Sequence, residues 1–99
     1  MYLFEEIEKR LKRSMNINHL EILDDTGKHI HHKTYERGAH LSAVIVSSNF
    51  NDINLLERHR MVYNALNGMI KNEIHALSMK TYTLDEWQYL KGFQNDKTE

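Results

Sequence analysis

Two strand-like runs, "HLSAVIVSS" at 40–48 and "IHALSMKTY" at 74–82, bracket a segment that carries one amphipathic helix. The first run is rich in β-branched residues, which suit a pleated, buried surface. A helix between two strands is long enough to return the chain to the same edge of a sheet. The two strands then lie parallel, with a right-handed connection. This one juxtaposition removes most topologies open to a chain of this length.

The flanking segments fill in the rest. In 2–15, Leu3, Phe4, Ile7, Leu11 and Met15 recur at three- and four-residue steps among charged residues, the pattern of an amphipathic helix. "NHLEILDD" (18–25) reads as a strand that stops at the turn signal Asp24-Asp25-Thr26-Gly27, and it is close enough to the next strand to pair antiparallel. Asn54, three residues before Glu57, resembles a capping box and opens the central helix. Its expected inward stripe is Leu55, Leu56, His59, Val62, Tyr63, Leu66, Met69 and Ile70, weakened at Gly68 and stopped near Asn72. Thr83 and Glu86 form a second capping box, starting a helix that turns Trp87 and Leu90 inward.

The expected fold is therefore α+β, an α/β sandwich. A single domain of order α-β-β-α-β-α holds a three-stranded mixed sheet with helices on one face. Residues 1–92 make the domain and 93–99 a flexible C-terminal tail.

Ninety-nine residues with a net charge of −1 and 40% hydrophobic content suit one globular core rather than a disordered chain. No apolar run approaches the roughly 20 residues that cross a bilayer, and the N-terminus reads as neither signal nor transit peptide. The expectation is a cytoplasmic protein with no membrane association. There is no cysteine, which excludes disulfides, thiol redox chemistry and a cluster held by the chain's own thiolates. No nucleophile motif or phosphate-binding glycine loop is present, so an enzyme is not expected.

Chemistry concentrates in "GKHIHHKTYERGAH" (27–40), which holds four of the seven histidines. His29, His31 and His32 could be solvated loop residues or metal ligands, and imidazole suits zinc or copper as well as iron. His40 reads as structural. His59, on the helix stripe, fits a hydrogen-bonded core histidine, and Tyr63 and Trp87 follow the apolar spacing and read as structural too. Arg58 and Arg60 cannot share one inward face. Both are candidates for contact with a partner or nucleic acid, and one of them can pair with a carboxylate within the fold.

"RHRMVYNAL" (58–66), "IHALSMKTYT" (74–83) and "EW" (86–87), following "VSSNF" (46–50), resemble the signature of the BolA-like family. The resemblance is spread over residues 3–90. It implies a type II K-homology-like fold and a role as partner of a monothiol glutaredoxin, the two proteins sharing a [2Fe–2S] cluster with glutathione. It also implies two histidine ligands here, His75 and a loop histidine. Alignment of "DDTGKH" (24–29) selects His29, with His31 and His32 less favoured. Two imidazoles on one iron and thiolates from elsewhere on the other resemble Rieske ligation, with a raised, protonation-sensitive potential.

By this reading the isolated chain holds no tightly bound cluster and is a monomer or weak homodimer. It acts in iron–sulfur trafficking or iron and redox sensing. The competing class is a DNA-binding transcriptional regulator of stress response and morphology. Against it stand the near-neutral charge and the lack of a Gly-x-x-Gly loop. Asp52 departs from the family pattern, standing where a glycine is common.

Overall fold

The computed structural model describes residues 2–25, 39–70 and 73–96, with backbone alone for Tyr2, His75 and residues 93–96. The elements are α1 (Tyr2–Ser14), β1 (Ile17–Asp24), β2 (Ala39–Ser47), a 3-10 turn (Ser48–Phe50), α2 (Leu55–Ala65), β3 (Ile74–Tyr82) and α3 (Leu84–Asp96). The sheet order is β1-β2-β3. β1 pairs antiparallel with β2, and β2 pairs parallel with β3 through the α2 crossover. Element order and strand directions match the sequence reading.

Alternation decides which face each strand residue takes. Leu20, Ile22, Leu41, Ala43, Ile45, Leu77 and Met79 meet Ile7, Leu11 and Met15 of α1 and Val62, Leu66 and Met69 of the α2 segment, with Phe50 and Ile74 buried among them. The other face shows Glu21, Val44 and Lys80, adjacent across the three strands. One end of that second face is covered. Trp87 stacks on His19 at 4.9 Å and lies 5.6 Å from Tyr82. His19 and Tyr82 both pair with Val46, which is fully buried. Thus α1 and α2 pack on one face, while α3 reaches over the edge of the other.

The Thr83–Glu86 capping box forms in full, whereas at Asn54–Glu57 only the N-cap half forms, the Glu57 carboxylate meeting Arg60 instead. Asn54 Oδ1 accepts from the Glu57 N–H at 2.9 Å. The Thr83 N–H donates to Glu86 Oε1 at 2.8 Å, and the Glu86 N–H donates to Thr83 Oγ1 at 3.1 Å. Each cap satisfies N–H groups that a helix start leaves unpaired.

The central helix departs from expectation in two ways. It ends at Ala65, not near Asn72, which lies outside the described residues. Gly68 adopts φ +91°, a left-handed turn rather than a weak helical position. Arg10 of α1 closes this turn by donating to the Asn67 carbonyl at 2.6 Å. The inward row is also rotated. Arg58, Val62 and Leu66 are buried, whereas Leu55 and Leu56 are each 61% exposed and Tyr63 41%, so the core role expected for these three is corrected. The helix turns because Arg58 claims the inward position. Asp52 has φ +63°, which is the reason glycine suits that position. At the other end of the chain, α3 continues past Gly92 to Asp96, because one glycine costs only about 1 kcal/mol and no proline stops the helix.

Candidate functional site

The candidate ligands sit relative to the backbone as follows. His29, His31 and His32 lie outside the described residues. His75 is the second residue of β3, and its side chain is likewise outside them. What the structure does describe is the backbone on either side of these residues. β1 runs toward the end of the sheet at which β2 and β3 begin, with Asp24 opposite Leu41 and Ala39 opposite Ile74. The segment 26–38 is therefore anchored on both sides at that end. The Asp25 N–H donates to the His40 carbonyl at 2.7 Å, and the Ala39 N–H donates to the Glu73 carbonyl at 3.1 Å. The second bond ties one anchor of the loop to the residue two positions before His75.

The register adds a detail at the same place. Ala39 is opposite Ile74 but His40 is opposite Ala76, so the ladder slips by one residue at His75. A bulge of this kind leaves one residue out of the regular pairing. Ser42 Oγ donates to Asp25 Oδ2, fastening the end of β1 to β2. Loop anchors, a ladder irregularity and a candidate ligand thus share one end of the sheet.

No group of three or more histidine, cysteine, aspartate or glutamate side chains that could hold a metal occurs among the described residues. The donors available to the chain are imidazole and carboxylate, since cysteine is absent. Two neutral imidazoles suit one iron of a mixed-ligand cluster and leave the thiolate half to a partner.

Arg58 and Arg60 have opposite environments. Arg58 is 7% exposed. Its Nε donates to the Ile53 carbonyl at 2.7 Å and its Nη1 to the Thr81 carbonyl at 3.1 Å. Two further bonds reach Glu86, Nη1 to Oε1 at 2.8 Å and Nη2 to Oε2 at 3.2 Å. The guanidinium carbon also stands 5.8 Å from the Phe50 ring centroid. Four of its five N–H donors are spent inside the fold, so the contact role expected for Arg58 is corrected to a structural one. That hydrogen bond from Arg58, then the Thr83 N–H, hold the Glu86 carboxyl below its ordinary range. Arg60 is exposed and meets Glu57 at 2.5 Å on its own helix.

His59 is half-buried, and Trp87 is half-buried in its stack with His19. His19 Nε2 lies 2.6 Å from Glu21 Oε2, and Lys91 Nζ lies 5.3 Å from the Trp87 ring centroid. This cluster around Trp87 was not legible beforehand. Its members come from β1, β3 and α3, and only the shared face of the folded sheet unites them.

A family model described as "BolA-like protein" matches residues 11–86. An uncharacterized protein of Buchnera aphidicola is 38% identical over 84 residues, covering 85% of this chain and 79% of its own length. The "DNA-binding transcriptional regulator BolA" of Escherichia coli is 34% identical over 91 residues, covering 92% of this chain and 85% of its own. Among solved structures, a Bol-like protein from Babesia bovis superposes with a TM-score of 0.72 at 31% identity, over 88% of this chain and 91% of that one.

Proposed function

This chain belongs to the BolA-like family, and from that premise we propose that it is the histidine-bearing half of a [2Fe–2S] site shared with a monothiol glutaredoxin and glutathione. The observation that carries the reading is that both flanks of the 26–38 segment lie at the end of the sheet where β3 begins, Asp25 bonded to His40 of β2 and Ala39 to Glu73 just before β3. The segment that carries His29 thus leaves from and returns to the end of the sheet at which β3 begins. These two would hold one iron, with His31 and His32 as alternative loop donors. When bound, the cluster supplies a one-electron couple whose potential neutral imidazoles raise relative to thiolates. The chain's own part is to present two imidazoles from one rigid sheet end. It supplies binding chemistry rather than catalysis.

Mixing this chain with a monothiol glutaredoxin and glutathione under cluster-forming conditions should give a coloured one-to-one heterodimer, while the chain alone retains little cluster. Full occupancy on the isolated chain would overturn the shared site.

A second reading has one observation in its favour, that relatives from Escherichia coli and Haemophilus influenzae are named DNA-binding transcriptional regulators. Arg60, Lys9 and Arg13 are exposed cations that could meet phosphates. A nonspecific encounter loses affinity steeply as salt rises, through counterion release. A sequence-selective complex that persists at physiological salt would promote this reading over the first.

A further inference from the structure

We propose that the groove between the start of α2 and α3 docks a basic amphipathic segment of a partner protein. The groove has a volume of about 690 Å³, and Ile53, Leu55, Tyr82, Tyr89 and Leu90 give it apolar walls. Leu55 is 61% and Tyr89 75% exposed. Exposed apolar residues scattered singly carry no message, but a contiguous set lining one concavity marks an interaction surface.

Charge selects the occupant. The cation at the groove floor, Arg58, is already matched by Glu86 in a two-bond pair. Asp85, on the wall, is exposed and has no cationic side-chain partner among the described residues. An apolar groove with an exposed, unpaired carboxylate on its wall complements a segment with leucine-like side chains on one face and lysine or arginine beside them. This is helix-in-groove recognition, in which apolar anchors supply affinity and the rim charge supplies selection. Among the described residues, a second copy offers no free basic amphipathic helix for this groove. Its basic amphipathic helix, α1, has Ile7, Leu11 and Met15 committed to the core.

The groove lies at the opposite end of β3 from His75. Six residues separate His75 from Thr81, about 20 Å at roughly 3.3 Å per residue. The docking site therefore does not rest on the cluster reading, and both could be occupied at once.

The test titrates the full-length chain with a 14-residue helical peptide of leucine and lysine, and with its twin carrying glutamate for lysine, followed by amide NMR. The basic peptide should shift the amides of Leu55, Tyr82 and Tyr89 in a saturable manner, with the acidic twin at least tenfold weaker. Leu55→Ser should weaken the basic peptide at least tenfold without moving the melting temperature, because that side chain is mostly in water. Asp85→Asn should narrow the preference between the twins. Equal binding of the two peptides, shifts confined to the Glu21–Val44–Lys80 face, or no saturable shift would overturn the proposal. So would concentration-dependent shifts without peptide, which would identify a second copy as the occupant.

Discussion

At one end of β3, Thr81 and Thr83 are tied to Ile53, Arg58 and Glu86 by bonds whose partners all lie inside the fold, and Trp87 lies over the neighbouring strands. At the other end, His75 follows a ladder slip and stands beside the anchors of a histidine-rich loop. The first end spends its polar groups on stability. The second keeps donor chemistry at a break in regular pairing. The clamp at one end of β3 thus fixes the strand whose other end carries the candidate ligand His75.

The largest stability effect should come from breaking the clamp. Arg58→Ala removes bonds to two carbonyls and a carboxylate, and should cost about 3 kcal/mol in a denaturant melt. Arg58→Lys should recover less than half of that, since an ammonium cannot reproduce the planar fork. Were Arg58→Ala to melt like the parent, the two ends would not differ in the way described.

A smaller effect sharpens the same contrast through pH. Arg58 and the Thr83 N–H hold the Glu86 carboxyl below its ordinary value of 4.5. A depressed carboxyl contributes stability that is fully present above the unfolded value and is lost as pH falls through the lower, folded value. Glu86→Gln should therefore cost about 1 kcal/mol at pH 7, once the screening of a half-exposed carboxyl by water is allowed for. The gap to the parent should close as the medium is acidified below 4.5. A gap that stays constant with pH would mean the charge on Glu86 does not matter.

The smallest effect lies away from both ends. Gly68→Ala meets only Arg10 Nη1 at 3.9 Å, an ordinary contact, so its cost should reflect backbone strain alone at φ +91°. That is about 1 kcal/mol by thermal melt.

What could be read from the sequence was local or topological. The pairs Asn54–Glu57 and Thr83–Glu86 are three residues apart, and both helix starts are capped there, the second by a full reciprocal box and the first by Asn54 alone. The parallel pairing of β2 with β3 followed from the crossover. The orientation of α2 could not be read, because the residue that sets it, Arg58, answers to Glu86, 28 residues away. A charged residue turning inward moved Leu55, Leu56 and Tyr63 into water, against the apolar count. The candidate ligands His29 and His75 came from a family resemblance. Spacing alone left His31 and His32 open.

The most direct test follows two properties of two variants in the complex with a monothiol glutaredoxin and glutathione. His75→Ala should abolish the mixed-ligand signal in visible circular dichroism while the melting temperature of the isolated chain stays close to the parent's. Arg58→Ala should do the reverse, melting lower but keeping the cluster signal at temperatures where it is folded. A His75→Ala complex with an unchanged cluster spectrum would contradict the account at its centre.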